Sequence, residues 1–426
     1  FSLPCFQLIA EAFIQQRRLK LSWSLADNGP HGLKPLIVAL LGKRAMTLAE
    51  LQLATGSSMP TIRNAVQELE EMGWVCAVGQ DASTGGRPAR LLGLNGNTHL
   101  IVGTHVEIPT VNMVVAALDG RILEQQCFSK PKGLSPDDAV GSILAFVGQV
   151  RERYPGRRLL GIGMAAPGYL DTSSGTILYV GRAAGWENYP MRVRLTAGLG
   201  LPIVMENDTD CLIRAEMASA DLPTGDNIVY LGVLEGVKVS MVLNGRVYNG
   251  PFGNAGLIGR TKVARCRSTA GEEVYTDLEE TAAVGGVCNQ FERRVESWPE
   301  HDETIRHILS IAEHDDKFHA ILSAAEIGHP LCREVVGQML NDLTLAVANL
   351  TYIIQPVVLV IGGALSSIPK GIAKQLEDSI RSKLPPLLSN HLVIRYATMN
   401  GRYGVGNVAA NLLLERELSL EEVFTA

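Results

Sequence analysis

Four polar side chains that can read the edges of DNA bases lie along one predicted helix. Within residues 59–72, apolar residues recur at helical spacing, at Ile62, Val66, Leu69 and Met72. The side chains that fall off this stripe and can donate or accept hydrogen bonds in a major groove are Thr61, Arg63, Asn64 and Gln67. Ser58 precedes them at the cap position and is a further DNA-binding candidate. The acidic run Glu68, Glu70 and Glu71 at the helix end is expected to face away from DNA. The pattern predicts a helix that reads double-stranded DNA.

The preceding segment supplies the first half of a helix-turn-helix. Thr47, with Glu50 three residues later, predicts a helix start of the capping-box type. The tripeptide Thr55-Gly56-Ser57 predicts a tight turn into the next helix. We therefore expect two short helices joined by a glycine-containing turn.

A hairpin follows, and it would form a wing. Residues 74–78 and 89–94 are typical of two strands, joined by the polar tip QDASTGGRP at 80–88. Arg87 and Arg90 lie beside glycines that let the backbone approach phosphates or a narrow minor groove. The same pattern also fits a winged helix that binds protein, or a small three-helix core.

Composition and charge narrow the class of protein. The chain has 426 residues with a net charge of −6, but residues 1–96 hold nine Lys and Arg against seven Asp and Glu, so only this head is basic. Apolar stretches such as residues 357–365 are shorter than the stretch of about 20 residues that spans a bilayer. In residues 1–20 the basic residues follow the apolar ones, which is the reverse of a secretory signal. Seven scattered cysteines favour neither disulfides nor a metal site. We expect a cytoplasmic protein without membrane contact.

After residue 97 the pattern becomes an alternation of strands and helices that occurs twice. Residues 100–123 predict strands joined through the Asp119-Gly120 hairpin, and residues 227–248 repeat this with Asn244-Gly245. Each set precedes a helix, at 136–153 and 340–354, and then a buried strand. Two such units predict two similar lobes that face a cleft, where ligands bind.

Five segments in fixed order carry a resemblance to a known family. They are GIGMAAPGYLD (161–171), GWEN (185–188), ENDTDCLIRAE (206–216), NGPFGNAGLIG (249–259) and VIGGAL (360–365). The chain resembles the ROK family of repressors and sugar kinases from about residue 36 onward, and its head resembles the DNA-binding domain that the family's regulators have and its kinases lack.

The resemblance implies a fold class and domain boundaries. We expect an α/β protein with an N-terminal winged helix-turn-helix followed by a two-lobed body of the actin and hexokinase type. The predicted domains are the head with an N-terminal helix at 1–96, lobe 1 at 97–205 and lobe 2 at 206–404. A C-terminal helix at 405–426 is expected to pack back on lobe 1. The helix at 6–20 is assigned to packing or dimerisation.

Departures from the family pattern argue against catalysis and against zinc. The first phosphate-binding turn reads GTHVEIPT (103–110) and the second LEGVKV (234–239), and both lack the clustered glycine amides that hold ATP phosphates. At the family's zinc site Arg260 replaces the histidine and only Cys266 remains of the cysteines, which cannot form a four-ligand site. We expect no enzyme activity, no cofactor and no metal.

The residues that match the family's sugar site are candidates for an effector site. Asn207 and Asp208 match the segment that contacts the sugar, although Asp208 also fits a helix cap. Glu279 matches a late sugar-contacting glutamate, with Glu280 adjoining it. The remaining candidates are Trp186 and Asn188, which could stack on and bind a pyranose or pack a lobe, and Arg260, which could bind an anionic sugar or pair with a carboxylate.

Together these observations predict a DNA-binding transcriptional regulator of carbohydrate metabolism, most simply a repressor. Its expected partners are a double-stranded DNA operator, a carbohydrate-like effector in the interlobe cleft, and a second copy of itself in a homodimer or higher even oligomer. The long helix that ends at residue 354 offers an apolar stripe for that interface or for the lobe's own sheet; the stripe consists of Val335, Met339, Leu343 and Val347. A ligand-independent DNA-binding protein with a vestigial cleft is the alternative, and an active sugar kinase is a further one.

Overall fold

The structure is a computed structural model of the chain. It describes residues 37, 45–81, 88–131, 133–181, 183–219, 222–223, 225–267, 273–299 and 302–398. Three predictions fall outside the described residues: the helix at 6–20, Arg87 at the wing tip, and the helix at 405–426.

The head contains the two helices and the hairpin that the sequence predicts. Helix α1 spans Leu48–Thr55, α2 spans Met59–Glu71, and β1 (Val75–Gln80) pairs antiparallel with β2 (Arg90–Leu94). Both predicted helix starts are confirmed: Thr47 forms a capping box with Glu50, and the Ser58 hydroxyl accepts from the Thr61 amide. Strand β1 runs on to Gln80, which the sequence assigned to the tip. Gly56 ends α1 with a φ of 69°, a conformation that favours glycine.

Lobe 1 is built on a five-stranded sheet. Its strands are β3 (His99–Glu107), β4 (Thr110–Ala117), β5 (Ile122–Ser129), β6 (Arg158–Ala166) and β9 (Ile203–Asn207), in the order β5-β4-β3-β6-β9. Strands β3 to β5 are antiparallel, whereas β6 runs parallel to both β3 and β9. The other elements are α3 (Pro136–Arg153), the small hairpin of β7 (Tyr169–Asp171) and β8 (Thr176–Tyr179), and α4 (Met191–Leu199).

Lobe 2 repeats this plan. Its sheet is formed by β10 (Ile228–Val233), β11 (Val237–Leu243), β12 (Arg246–Val247), β15 (Val358–Gly363) and β16 (Val393–Tyr396), in the order β12-β11-β10-β15-β16. A hairpin of β13 (Lys262–Arg267) and β14 (Glu273–Asp277) lies outside this sheet. Its helices are α5 (Asp208–Ser219), α6 (Leu278–Ala282), α7 (Val284–Val295), α8 (Glu303–Ser310), α9 (His314–Ile327), α10 (Pro330–Ile354), α11 (Lys370–Ser382) and α12 (Pro386–His391). The Asn244-Gly245 turn has positive φ at both residues, as a type I′ hairpin requires.

The boundary between the lobes differs from the prediction. Glu206 and Asn207, which the sequence assigned to lobe 2, pair with Ala165 and Ala166 of β6 in the lobe 1 sheet. Lobe 1 therefore extends to Asn207, and the polypeptide enters lobe 2 through α5.

The apolar stripe of α10 is buried within lobe 2. Val335, Met339, Leu343 and Val347 are at most 1% exposed and belong to the core of this lobe. Of the two uses that the sequence left open for this stripe, the structure shows the second, because the lobe's own sheet and helices cover it. Within the described residues, no helix is both long and apolar enough to cross a bilayer.

The head packs directly on lobe 1. The Trp74 ring stacks on the His99 ring with 4.7 Å between centroids, and the Thr98 hydroxyl donates to the Gly73 carbonyl at 2.5 Å. Buried side chains of the head, such as Leu51 and Leu69, share one hydrophobic core with Ile101 of lobe 1 and Val360 of lobe 2. The head is therefore continuous with the sheets of the body.

Candidate DNA-binding head and interlobe cleft

The predicted base-reading side chains are exposed on one face of α2. Thr61, Arg63, Asn64 and Gln67 are exposed, whereas Ile62, Ala65, Val66 and Leu69 are buried against the head. The helical period explains why these residues separate into an exposed face and a buried face, because buried residues recur every three to four positions. The face can therefore approach another molecule.

Some of these side chains already have partners. The Ser58 hydroxyl lies 2.7 Å from the Thr61 hydroxyl and caps α2, so it holds the helix start in place. Gln67 Nε2 donates to Glu71 Oε1 at 2.9 Å. Among the described residues, the structure gives no hydrogen-bond partner for the side chains of Arg63 and Asn64, and both side chains are exposed.

Arg90 of the hairpin contacts helix α2. Its Nη2 lies 2.5 Å from Glu70 Oε1 and its Nη1 lies 3.3 Å from Glu70 Oε2. Glu70 therefore points toward the wing, whereas the sequence interpretation said of it only that it should face away from DNA. Because Arg90 and Glu70 are 20 residues apart, only the folded hairpin brings them together.

Asn207 and Asp208 lie where β9 ends and α5 begins. Asn207 Nδ2 donates to the Gly168 carbonyl at 3.0 Å, which ties this segment to the turn before β7. Asp208 is 8% exposed, and its Oδ1 accepts from the Thr209 amide at 2.6 Å. Burial raises the pKa of Asp208, an effect that the nearby His105 and Lys238 partly offset.

Arg260 forms an ion pair with a carboxylate, which is one of the two alternatives that the sequence left open. Its Nη1 lies 3.5 Å from Asp277 Oδ2, and Lys262 Nζ contacts the other oxygen of the same carboxylate. The Arg260 side chain is 53% exposed and the Asp277 side chain 8%. The two cations therefore flank one nearly buried anion at the base of β13 and β14.

Glu279 lies at the junction of the lobes. A methyl group added at Gly259 would lie 2.9 Å from Glu279 Oε2, and one at Gly181 of lobe 1 would lie 3.7 Å from its Oε1. The carboxylate thus occupies the space next to glycines of both lobes. Tyr169 is close enough to Arg260 and Glu279 to respond to their charges: burial raises the pKa of the Tyr169 hydroxyl, Arg260 opposes this rise, and Glu279 adds to it.

Trp186 and Asn188 occupy different environments. Trp186 is completely buried in the lobe 1 core, and its indole nitrogen donates to the Leu134 carbonyl at 3.0 Å. A ring without exposed surface cannot stack on a ligand, so the prediction of Trp186 as a sugar platform is wrong and the residue packs the lobe. Asn188 is exposed, with a φ of 52°.

The second phosphate-binding turn carries charged side chains in place of glycine. A methyl group at Gly285, in the first turn of α7, would lie 2.8 Å from Glu235 Oε2, and the Glu235 carboxylate also contacts His314 Nδ1 at 3.2 Å. Lys238 is buried in β11 and donates to Asp210 Oδ1 at 2.8 Å. A carboxylate therefore occupies the helix start that would attract a phosphate.

Among the described residues, no group of three or more His, Cys, Asp or Glu side chains is placed to hold a metal ion. Cys266 has no described side chain. The sequence interpretation missed several residues of the two regions: Glu70 in the head, and Tyr169, Tyr179, Lys262 and Asp277 at the cleft. The Tyr169 and Tyr179 rings meet edge to face at 5.9 Å. The two tyrosines are partners across the β7–β8 pair, and the closeness of Tyr169 to Glu279 depends on contacts between the lobes.

Comparison with known proteins places the chain in a family. The model of the ROK family matches residues 104–410, which is more than half of the chain. The chain belongs to the ROK family. Among its relatives, the xylose repressor of Caldicellulosiruptor bescii is 21% identical over 82% of this chain and 86% of its own length.

Two solved ROK structures match the fold to different extents. A ROK family transcriptional regulator, a homologue of the E. coli MLC protein, has a TM-score of 0.71 at 21% identity and covers 89% of this chain and 95% of its own. The ROK glucokinase of Streptomyces griseus, in complex with glucose and AMPPNP, has a TM-score of 0.58 at 21% identity and covers 74% of this chain and 98% of its own. The body has the hexokinase-like fold that the sequence predicted. The alignment covers almost all of the glucokinase but leaves about a quarter of this chain uncovered.

Proposed function

We propose that this chain is a sugar-responsive transcriptional regulator, most simply a repressor. Its winged helix-turn-helix head binds a double-stranded DNA operator, and its interlobe cleft binds a carbohydrate-like effector. The observation that carries the proposal is the head itself: α2 presents Arg63 and Asn64 on an exposed face and is followed by a wing, and this unit is joined to a ROK body. The similarity to the xylose repressor of Caldicellulosiruptor bescii extends over 82% of this chain, which supports a regulator of this kind.

The packing between head and body supports coupling between the two sites. The Trp74 and His99 rings and the Thr98 to Gly73 hydrogen bond fix the head on β3 of lobe 1, the strand at the centre of that sheet. A change in the angle between the lobes therefore moves the head together with lobe 1 as a rigid unit. In a homodimer such a movement changes the spacing of two heads, and hence operator affinity.

The effector site that we propose includes the candidates at the lobe junction. Asn207, Asp208 and Glu279 supply hydrogen-bonding groups, and Tyr169 and Tyr179 supply an aromatic wall of the kind that packs on a sugar ring. Arg260 and the exposed Asn188 extend this site at its edge. Because Arg260 and Lys262 are balanced by Asp277 and Glu279, the site has no excess of positive charge, and we favour an uncharged sugar over a phosphosugar.

The residues at the second phosphate-binding turn argue against phosphoryl transfer. Glu235 at the start of α7 would repel ATP phosphates, and Lys238 already pairs with Asp210. Because phosphoryl transfer depends on positioning and on stabilising charge, these substitutions favour a body that binds without catalysis.

Operator selection with the full chain tests the DNA-binding half of the proposal. We expect the chain to enrich a paired half-site sequence from random duplexes, and R63A or N64A to lower operator affinity by about 1–3 kcal/mol while relaxing sequence preference. R87A should weaken binding to all sequences and flatten the salt dependence. Unchanged binding by the R63A/N64A/R87A variant would refute the assignment.

A pair of adjacent glutamates offers a matched test of the effector half. E279Q should abolish the effect of the sugar on operator binding, whereas E280Q, the same change one residue later on an exposed side chain, should leave it intact. A thermal-shift screen over neutral sugars, amino sugars and their phosphates identifies the ligand, because a molecule that binds only the native state stabilises it. Sugar-stimulated nucleotide hydrolysis lost in D208N would instead establish a kinase.

A further inference from the structure

An ion pair between described residues joins α2, the proposed recognition helix, to the wing. The two oxygens of Glu70, near the end of α2, accept from the two terminal nitrogens of Arg90, the first residue of β2. Such fork-like pairing fixes the relative orientation of both groups as well as their distance. The Arg90 side chain is 56% exposed and the Glu70 side chain 26%, so the pair lies at the surface of the head, on the side that α2 shares with the wing.

Packing alone leaves space between these two elements. A hollow of about 110 Å³ separates them; it is lined by Leu48, Arg63, Val66, Gln67, Glu70, Arg90 and Leu92. Beside this hollow, α2 and the hairpin are joined by a shared hydrophobic core that includes Val66, Leu69 and Leu92. Glu70 and Arg90 both line the hollow, so their ion pair is a polar connection between α2 and β2 in addition to that core.

The charges of the pair cancel, which changes the role expected for Arg90. A guanidinium that donates twice to a carboxylate adds no net positive charge to the surface, and its neighbour Glu70 would repel a phosphate that approached it. Arg90 is therefore poorly suited to neutralise a DNA phosphate, which is the role that the sequence suggested for it.

We propose that Glu70 and Arg90 form a positioning pair that sets the angle between the recognition helix and the wing. Through this angle the pair determines whether α2 and the wing engage one operator in the correct register. Glu70 is thus a determinant of sequence specificity, although it carries the same charge as DNA. The inference rests on the proposed DNA-binding function.

A double-mutant cycle on the full chain tests this pair. The readout is the ratio of affinity for the selected operator to affinity for an unrelated duplex of equal length, with the salt dependence of operator binding. E70Q and R90Q should each lower the ratio by about fivefold, and E70Q/R90Q should lower it no further, because either change alone removes the same contact. E68Q removes the same charge from the same helix two residues earlier and should leave the ratio unchanged.

The salt dependence separates positioning from direct contact. Under our proposal R90Q leaves the slope of log affinity against log salt concentration unchanged. A slope reduced by about 0.9, together with additive effects of E70Q and R90Q, would show that Arg90 binds a phosphate and would overturn the inference. An unchanged specificity ratio in E70Q would overturn it as well. If the wild-type chain binds no duplex at all, the proposed function fails along with it, and this outcome is distinct from the other two.

Discussion

The buried pair of Lys238 and Asp210 allows a quantitative prediction about lobe 2. Lys238 Nζ lies 2.8 Å from Asp210 Oδ1, with side-chain exposures of 8% and 2%. The same oxygen accepts from the Ser240 hydroxyl at 2.5 Å, and Asp210 Oδ2 accepts no hydrogen bond among the described residues. Lys238 is thus the only described cation within contact of this carboxylate. The K238M variant leaves the carboxylate buried without that cation, while it keeps most of the volume of the side chain.

The expected cost follows from this burial. Removing one partner of a buried ion pair lowers the free energy of unfolding by about 3–5 kcal/mol, because the remaining charge stays desolvated. The D210N/K238M variant removes both charges and keeps an oxygen for Ser240, so it should recover more than half of that loss. R121M offers a matched control: Arg121 pairs with Asp119 at 2.7 Å, but its side chain is 60% exposed, and the change should cost about 0–1 kcal/mol.

Urea denaturation followed by circular dichroism measures these differences, and hydrogen exchange of the β10 and β11 amides locates them in lobe 2. A loss below about 1 kcal/mol in K238M would refute the reasoning, since it would mean that water reaches Asp210. A double variant as unstable as K238M would refute it too, because uncompensated charge could not then be the cause.

Three further predictions concern other residues. Burial, aided by Arg158, lowers the pKa of His99 from 6.5 to about 4, so the unfolded chain takes up the proton at a higher pH than the folded chain does. The free energy of unfolding should therefore fall by about 2 kcal/mol between pH 7 and pH 5. Urea titrations of H99Q should lack that part of the decrease. W186A should lower the free energy of unfolding by about 3–5 kcal/mol, whereas the thermal shift caused by a bound sugar should persist in W186F. Elemental analysis of the purified protein should find well under one zinc per chain, and a stoichiometric value would contradict the interpretation of Arg260.

Local signals in the sequence predicted helix starts and turns accurately. Thr47 and Ser58 cap their helices as expected, because a cap depends on residues three positions away. The Asn244-Gly245 turn also forms as predicted. The sequence placed the start of α10 at residue 334 or 340, whereas the helix begins at Pro330, since the amide of Cys332 is capped by His329, a residue type that gives no strong cap signal.

Features that depend on distant partners could not be predicted in this way. Trp186 is buried because its indole reaches a carbonyl 52 residues earlier, and Arg90 pairs with a glutamate 20 residues earlier. The cleft depends on Glu279 lying next to Gly181, almost 100 residues away along the chain. In each case the residue type fitted two roles, and the tertiary contact decided between them. The order of the family motifs predicted the two lobes but not which candidates meet between them.

The central claim is that operator and sugar binding are coupled, and reciprocity tests it most directly. Calorimetry would measure the affinity of the full chain for the sugar found by the thermal-shift screen, once without DNA and once saturated with the selected operator. The account predicts that the operator changes sugar affinity by the same factor as the sugar changes operator affinity, about 5- to 150-fold. Equal sugar affinity in both titrations would contradict it, because the head and the cleft would then act independently.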